Sequence, residues 1–478
     1  MAYVLHDRIS TKLDEYLGEL QSGFRKGRST IDPIYCARRI QDIAEHGKDR
    51  LIMIMLDWEK AFDKIDQEKM FQALQRLNIP EDIIEMIRAL YRTPYFRVQQ
   101  TDQASEWKFQ NTGIRQGCPL SPYLFILTMH VLLHDVKTKL KDPWGKRTFE
   151  RINFYELLYA DDTLLVTKST AMAKKLLHLI EEESSYYDLR LNQKKCTYIS
   201  YNFNANIKFK DGTDMPKVRE AIYLGANITR KVDPQIEIRR RISMTMPVLK
   251  KLDIFWNKTK CCKAWKIQVL NAVIISKLIY GLETIEPTDG VANMLDVFHL
   301  KGLRKILEMK TTYIERANTN ERVYKNAQNV LRTKNQQKAP SLQKANAWLD
   351  RQVRPITEVL QEKKFNLLGH VIRREQNHPL QLVTFDTGRH PSNGPALTIK
   401  ATRGPKRRGR PRLSWTHENM SKAWDHIKNR PEAVPAQLRG QSYDNQNSEM
   451  NGILASRAEQ YATPFQGSKN WMRMANMT

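Results

Sequence analysis

Apolar and polar positions in the first 230 residues alternate between strand patterns and helix patterns. Residues 51–56 (LIMIML) form a continuous apolar run, which predicts a buried strand that ends at Asp57. Two short apolar runs within 154–166 flank Ala160-Asp161-Asp162, and they predict a β-hairpin with these three residues at its tip. Further strands are predicted at 197–201 and 221–228, and a hairpin at 96–110.

Helical spacing of apolar residues separates these strands. The helices predicted from that spacing and from the breakers around it are 31–44, 66–77, 81–91, a helix from 122 to 136, and 170–187. Strands interrupted by helices in this order predict an α+β domain whose acidic residues lie on a central sheet.

The pattern changes after residue 233, and it divides the chain into four regions. Residues 1–233 form the α+β region, and 234–335 are mostly helical and basic without a clear strand. Residues 336–428 form a basic helical region with Pro- and Gly-bearing coil between His378 and Ser414. Residues 429–478 are rich in Asn, Gln, Ser and Pro, and they predict a flexible tail.

Composition adds the partner and the compartment. The 478 residues carry 78 Lys and Arg against 52 Asp and Glu, a net charge of +26, which favours nucleic acid as partner over a merely soluble basic protein. Five scattered cysteines favour a reducing compartment. The longest apolar stretch, 122–133, is too short to span a bilayer, and no signal peptide is evident, so we expect an intracellular protein without a membrane partner.

Asp161 and Asp162 set the candidate chemistry. Adjacent carboxylates at a hairpin tip repel each other, and a divalent cation is the usual partner that relieves this repulsion. Asp57 is the candidate third acid. Phosphoryl transfer to a 3′-hydroxyl uses two metal ions about 3.5–4 Å apart, which requires carboxylates from separate strands to face one cavity. An ordinary solvated turn is the alternative for the two acids taken alone.

Six segments, in order, resemble the motifs of reverse transcriptases from retrotransposons without long terminal repeats (non-LTR, LINE-like elements). Tyr159-Ala160-Asp161-Asp162 resembles the catalytic box, and residues 57–63 (DWEKAFD) resemble the first catalytic motif. The other four are 21–30 (QSGFRKGRST) in the fingers, 113–122 (GIRQGCPLSP) between the catalytic motifs, and 189–196 (LRLNQKKC) and 223–225 (YLG) downstream.

This resemblance implies a right-hand polymerase, an α+β fold with fingers, a thumb and a palm built on an antiparallel sheet. Region 1–233 would then contain partial fingers and the palm, and 234–335 a thumb-like part, followed by the mostly helical basic C-terminal region. The resemblance also implies that Asp57 and Asp161 hold two Mg²⁺ ions, with Asp162 beside them and the Trp58 carbonyl as a further ligand. Mn²⁺ is the alternative ion.

The same resemblance assigns residues to the incoming nucleotide. The Phe62 ring would lie beneath the sugar, where it would clash with a 2′-hydroxyl and select deoxynucleotides. Gln116 and Gly117 would lie against the nucleotide and the template base, since glycine allows close approach of backbone. Core packing is the alternative for Phe62, and an ordinary loop before a helix is the alternative for Gln116 and Gly117.

Two further cations are assigned less uniquely. Lys195 matches a lysine that protonates or balances the departing pyrophosphate, although its neighbour Lys194 competes for this role. Arg25 is a candidate for neutralising the triphosphate, and Lys26 and Arg28 compete with it.

A basic segment at 405–412 (PKRRGRPR) is a candidate for direct contact with nucleic acid. Arginines around a Gly-Arg-Pro core can lie in the narrow A·T minor groove. A nuclear-import run and a nonspecific phosphate clamp are the alternatives, and they keep a nuclear location in view beside a cytoplasmic one. The contacting residues would be Arg407, Arg408, Arg410 and Arg412.

The expected activity is RNA-directed DNA polymerisation, the extension of a DNA 3′ end on an RNA template during retrotransposon replication. Its partners would be the RNA template, a DNA primer or target and dNTPs, in an oligomeric state that the sequence leaves open. Because only twenty residues precede the fingers motif, we expect a reverse transcriptase truncated at its N-terminus. The alternatives are an inactive nucleic-acid-binding relic, or a maturase or RNA-dependent RNA polymerase with the same palm.

Overall fold

Two compact units make up the described part of the chain. The computed structural model describes residues 2–14, 16–92, 95–140, 152, 154–231, 233–335, 353–375, 377–387, 397–399, 414–444 and 447–456. The first unit contains the described residues up to 231 together with 377–383, and the second contains the others from 233 onward. The change of pattern at residue 233 therefore coincides with a boundary between units.

An antiparallel four-stranded sheet forms the core of the first unit, with the strands in the order Glu156–Tyr159 (β6), Asp162–Thr167 (β7), Leu51–Leu56 (β1) and Thr197–Tyr201 (β8). All six residues of β1 are buried, and its alternate residues Ile52, Ile54 and Leu56 pack into the main apolar cluster of this unit. The strands are β1 Leu51–Leu56, β2 Tyr95–Phe96, β3 Gln99–Gln100, β4 Gln103–Ala104, β5 Lys108–Phe109, β6 Glu156–Tyr159, β7 Asp162–Thr167, β8 Thr197–Tyr201, β9 Glu220–Tyr223 and β10 Ala226–Thr229.

Two helices of the first unit begin at residues whose side chains cap them. The Asp66 carboxylate accepts a hydrogen bond from Lys69 N at 2.9 Å, and Ser169 Oγ accepts one from Met172 N at 3.4 Å. The predicted helices are confirmed, with ends that shift by a few residues. They are α1 Ala2–Leu13, α2 Ile31–Gly47, α3 Ala61–Lys64, α4 Gln67–Arg76, α5 Glu81–Tyr91, α6 Ser121–Leu140 and α7 Thr170–Tyr186.

The second unit is mainly helical, as predicted for 234–335. Its core gathers apolar side chains from several helices, including Ile238, Leu270, Phe298 and Leu360. The helices are α8 Pro234–Lys251, α9 Asp253–Lys258, α10 Lys263–Val269, a π-helical turn Leu270–Ile275, α11 Ser276–Ile279, α12 Asp289–Leu307, α13 Asn320–Asn335, α14 Ile356–Ile372, α16 Trp415–Ile427 and α17 Ser448–Ser456, with short 3-10 turns at Leu282–Thr284 and Ala436–Leu438.

One helical run of the second unit, Lys263–Thr284, is long and apolar enough by composition to cross a membrane. Its apolar residues Ile267, Leu270, Ile274 and Leu278 are buried in the core of the unit. Core packing therefore accounts for the composition of this run.

The region after residue 375 differs from its prediction in three ways. Strands β11 Phe385–Thr387 and β12 Leu397–Ile399 pair where coil was predicted, and the short helix α15 Pro379–Leu382 contacts α2 of the first unit. The flexible tail predicted for 429–478 is wrong for 429–444 and 447–456, because Val434, Met450 and Leu454 are buried there. Residues 457–478 lie outside the described residues.

Candidate active site

The sheet register brings Asp57 beside the Asp161-Asp162 hairpin. Leu56, the last residue of β1, pairs with Thr163 of β7, so Asp57, which follows β1, lies beside the start of β7. Tyr159 pairs with Asp162, which leaves Ala160 and Asp161 as a two-residue turn with Ala160 at φ +57°. Asp162 is thus the first residue of β7, rather than part of the tip as predicted.

The three carboxylates repel one another. Burial and, to a smaller extent, the negative charges of Asp161 and Asp57 together raise the pKa of Asp162 to about 6. The pKa of Asp161 is also raised, by burial and by Asp57. Negative charges held together in this way favour a divalent cation.

A metal ion at this site would need oxygen ligands from a substrate as well. Within the described residues, no group of three His, Cys, Asp or Glu side chains has a geometry that would hold a metal ion by itself. Mg²⁺ is commonly bound by one or two carboxylates together with substrate phosphates and water. The donor set of Asp57, Asp161 and Asp162 therefore fits ions that arrive with a nucleotide.

The downstream segment 189–196 pairs with the backbone around Asp57. Asn192 N donates to Asp57 O at 2.8 Å, and Glu59 N donates to Arg190 O at 2.9 Å. In this antiparallel pairing the backbone groups of Trp58 point away from Leu191, so its carbonyl is not used there.

The Trp58 side chain joins β1 to the hairpin. Its indole Nε1 donates to Thr163 Oγ1 at 3.3 Å, and Thr163 Oγ1 donates to Asp161 O at 3.2 Å. Trp58 is therefore buried, and it links the backbone after Asp57 to the turn that carries Asp161.

Lys195 lies at the site, with its Nζ 3.6 Å from Asp57 Oδ2. A cleft of about 290 Å³ opens beside this pair, and Asp162, Glu220 and Tyr223 are among its lining residues. The geometry thus favours Lys195 over Lys194, for which the structure shows no such approach to an acid of the site.

The fingers motif holds the catalytic turn, a contact that the sequence did not predict. The buried Gln21 side chain accepts from Ala160 N at 3.0 Å and from Gly23 N at 2.8 Å, and it donates to Ala160 O at 3.3 Å. A Cβ atom on Gly23 would lie 2.3 Å from Ala160 N. Gly23 two residues after Gln21 was the available sequence signal, but the partner is about 140 residues away in sequence.

Phe62 lies in a row of three aromatic rings. It stacks on Phe125 with ring centroids 4.5 Å apart, and it meets Phe24 edge to face at 6.4 Å. The ring is partly buried against the core, which supports it from one side. Phe62 O accepts a hydrogen bond from Ile114 N at 2.7 Å, and this bond attaches the loop of the motif at 113–122 to α3.

Gln116 and Gly117 lie in that loop and are exposed. Gln116 Nε2 donates to Asp63 Oδ1 at 2.7 Å, and Gly117 has φ +86° with open space around its Cα. Gly113 packs tightly, because a Cβ there would lie 2.6 Å from Asp63 O. The loop is therefore anchored at its start and open at Gly117.

Arg25 does not reach the site, which corrects its predicted contact with a triphosphate. Its side chain is 2% exposed, and its guanidinium donates to Asp14, to Gly18 O and to Gln21 O. Of its competitors, Arg28 pairs with Glu19 and contacts His378, whereas Lys26 is exposed. Arg25 thus supports the fingers motif from within.

The segment 405–412 lies outside the described residues, so the predicted contacts of Arg407, Arg408, Arg410 and Arg412 stay predictions.

An antiparallel sheet that carries acids on two neighbouring strands, held by a fingers loop, is the palm of a right-hand polymerase. A family model described as reverse transcriptase (RNA-dependent DNA polymerase) matches residues 1–228, just under half of the chain. Together with the retrotransposon proteins described below, this match confirms the resemblance of the six motifs to non-LTR reverse transcriptases. This family uses divalent metal ions.

Several curated proteins of such elements are similar to this chain. The RNA-directed DNA polymerase from mobile element jockey of Drosophila melanogaster is 22% identical over 346 residues, 66% of this chain and 35% of that protein. An uncharacterised 149 kDa protein of transposon TX1 from Xenopus laevis is 23% identical, over 59% of this chain and 21% of its own length. The Pol polyprotein of a type-1 R2 element from Nasonia vitripennis is 29% identical, over 30% of this chain and 14% of its length.

The chain thus spans about a third or less of the length of these three relatives. Among solved structures, telomerase from Candida albicans in complex with a fragment of telomeric RNA has a TM-score of 0.41 and 14% identity, and it covers 66% of this chain and 56% of that one. The fold assignment rests on the sheet order and on the family match.

Proposed function

We propose that this chain extends a DNA 3′ end on an RNA template, with dNTPs as substrates, as the polymerase of a non-LTR retrotransposon. The observation that carries the proposal is the meeting of Asp57 with Asp161 and Asp162 across β1 and β7. Acids from two strands at one point provide what two-metal nucleotidyl transfer needs from a protein.

Each neighbouring group has a role in this proposal. Asp57 and Asp161 would hold the Mg²⁺ ions, with Asp162 beside them. The carbonyl of Trp58, the residue after Asp57, would be a further ligand. When bound, the ions supply positive charge that activates the attacking hydroxyl and stabilises the negative charge on the leaving phosphates. Lys195, whose Nζ lies next to Asp57, balances charge on the departing pyrophosphate.

Selection of the nucleotide rests on the aromatic row and on the loop behind it. The Phe62 ring is supported by Phe125, so it cannot retreat without disturbing the core, and it excludes a 2′-hydroxyl. The exposed Gly117 lets a nucleotide approach the backbone closely. Gln116, held by Asp63, lies beside that opening.

Primer extension tests the proposal. The full chain, a DNA primer on an RNA template, dNTPs and Mg²⁺ should give extended products, and Asp161→Ala should abolish them. Asp7→Ala, which removes an exposed carboxylate from α1, is the matched control and should extend normally. A folded wild-type chain that binds the template-primer without extending it, and whose binding is unchanged in Asp57→Asn, would instead identify an inactive relic.

The template and sugar preference separate the polymerase alternatives. On one RNA template, wild-type protein should use dNTPs far better than rNTPs, whereas an RNA-dependent RNA polymerase would show the reverse.

We also propose an intracellular location, in the nucleus rather than the cytoplasm, on the basis of the net charge of +26 and the run at 405–412. A fluorescent fusion tests this. Replacing the four arginines of the run with glutamine should shift the fusion toward the cytoplasm.

A further inference from the structure

The ribbon formed by residues 95–109 is exposed along its whole length. Strand β2 pairs with β5, so that Tyr95 faces Phe109, and β3 pairs with β4 beyond them. A turn at Thr101 and Asp102, with Thr101 at φ +51°, closes the ribbon. Among 15 consecutive residues this ribbon carries five large apolar side chains in solvent: Tyr95, Phe96, Val98, Trp107 and Phe109.

Four side chains form two neighbouring pairs on this ribbon, which are here called the platform. The Tyr95 and Phe109 rings lie 5.2 Å apart, and the Arg97 guanidinium lies over the Trp107 ring at 5.0 Å. Arg97 directly follows β2 and Trp107 directly precedes β5, so the two pairs are adjacent along the ribbon. The exposed fractions of Tyr95, Trp107 and Phe109 are 57%, 61% and 44%, so the rings are open to a ligand.

The chemistry of this platform fits single-stranded nucleic acid. Unpaired bases stack on exposed aromatic rings, and Arg adds a cation–π contact and a charge for phosphate. The net charge of +26 provides the long-range attraction for a polyanion.

The base of the ribbon is anchored at the candidate active site. The chain leaves β5 and reaches Thr112, whose Oγ1 donates to Asp63 O at 3.0 Å, and Gly113, whose N donates to Ile65 O at 2.8 Å. These bonds lie next to Phe62 and continue directly into the loop with Gln116. A nucleic-acid strand that binds at this loop would therefore lie next to the platform, because the loop directly follows the ribbon in the protein.

We propose that the platform formed by Tyr95, Arg97, Trp107 and Phe109 stacks unpaired bases of the template RNA beside the active site. That the bound RNA is the template rests on the proposed function, whereas the stacking of single-stranded nucleic acid on the platform does not. The platform is sequence-tolerant, because every base presents a flat face to the rings.

Fluorescence anisotropy with labelled oligo(rU) of 20 nucleotides at 150 mM NaCl tests the proposal on the full chain. The Tyr95→Ala/Trp107→Ala variant should bind this probe about 5- to 150-fold more weakly for each base that loses its ring. Tyr16→Ala removes an equally exposed ring of the same unit and should leave affinity unchanged. Circular dichroism of both variants verifies that they are folded.

Two further readouts distinguish stacking from other effects. An RNA duplex should bind the double variant and the wild type equally, because paired bases cannot stack on the rings. The slope of log affinity against log salt should also be unchanged in the double variant, since no phosphate contact is removed, whereas Arg97→Gln should reduce it.

Equal affinity of the double variant and the wild type for oligo(rU) would overturn the proposal. So would a wild-type dimer in light scattering that becomes monomeric in the double variant without loss of RNA affinity, because the ribbon would then be a protein interface. Absence of extension in the wild type would contradict the proposed polymerase and leave the binding result interpretable.

Discussion

Gly23→Ala is a small change for which the structure predicts a large effect. A Cβ atom on residue 23 would lie 2.3 Å from Ala160 N and 3.0 Å from Ala160 Cα. Both are backbone atoms, so no side-chain rotation relieves the overlap. Overpacking of a buried position costs about 1–3 kcal/mol, and we expect about 3 kcal/mol for this substitution because the fingers loop must separate from the hairpin.

The same displacement should also lower the rate of primer extension, because Ala160 directly precedes Asp161. A misplacement of about 1 Å in a reacting group lowers rates about 100-fold. Gly23→Ala should therefore extend primers about 100-fold more slowly at a temperature where it is still folded, with little change in affinity for the template-primer.

Urea unfolding followed by circular dichroism, together with single-nucleotide extension, measures both effects. Gly18→Ala is the matched control, since Gly18 is exposed and nothing lies within 4 Å of its Cβ position. Equal unfolding midpoints and extension rates for the two variants would contradict this prediction, because the contact between the fingers motif and the turn would then contribute nothing measurable to stability or rate.

Three other substitutions probe the same site. Gln21→Ala should lower the free energy of unfolding by about 1–3 kcal/mol, because the buried amides of Ala160 and Gly23 lose their acceptor. Asp162→Asn should stabilise the metal-free protein at pH 7.5 by about 1 kcal/mol, allowing for solvent exposure of the group. Folding raises the pKa of Asp162 from 3.8 to about 6, so ionisation of this carboxyl destabilises the wild-type protein as the pH rises between those values. The asparagine variant does not ionise, and its advantage in thermal unfolding should therefore vanish below about pH 4. Phe62→Val should raise rNTP incorporation relative to dNTP incorporation in primer extension.

Conservative variants serve as controls for these three. Gln21→Glu keeps acceptor oxygens for both amides and should recover part of the stability; equal losses would contradict the role of those bonds. Asp211→Asn should destabilise at pH 7.5, because hydrogen bonds lower the pKa of that carboxyl, so a pH profile like that of Asp162→Asn would exclude the argument from burial. Phe62→Tyr keeps the ring and should keep dNTP selection.

Local patterns were sufficient for most elements of the first unit. Residues 51–56 and 81–91 have the predicted bounds, because an apolar run and a helical spacing each report on adjacent residues. The pattern between 378 and 414 contained Pro and Gly, and it hid the pairing of β11 with β12. Burial of Met450 and Leu454 likewise depends on a distant surface, which polar composition did not reveal.

The candidate site shows the same division. The six motifs pointed to Asp57, Asp161 and Asp162 as candidates, because metal-dependent phosphoryl transfer uses carboxylates and the motifs follow the order of the family they resemble. Side-chain environment then corrected Arg25, whose guanidinium meets Asp14 and nearby carbonyls rather than a substrate.

Residue types and short spacings were thus enough to predict the family resemblance, the candidate acids and most of the elements beside them. The contacts of Gln21 and Gly23 with the turn at Ala160, and the exposure of Tyr95 and Trp107 on the ribbon, became visible only in the folded protein. Register, packing and exposure are set by contacts between residues far apart in the chain. A one-dimensional pattern does not contain those contacts.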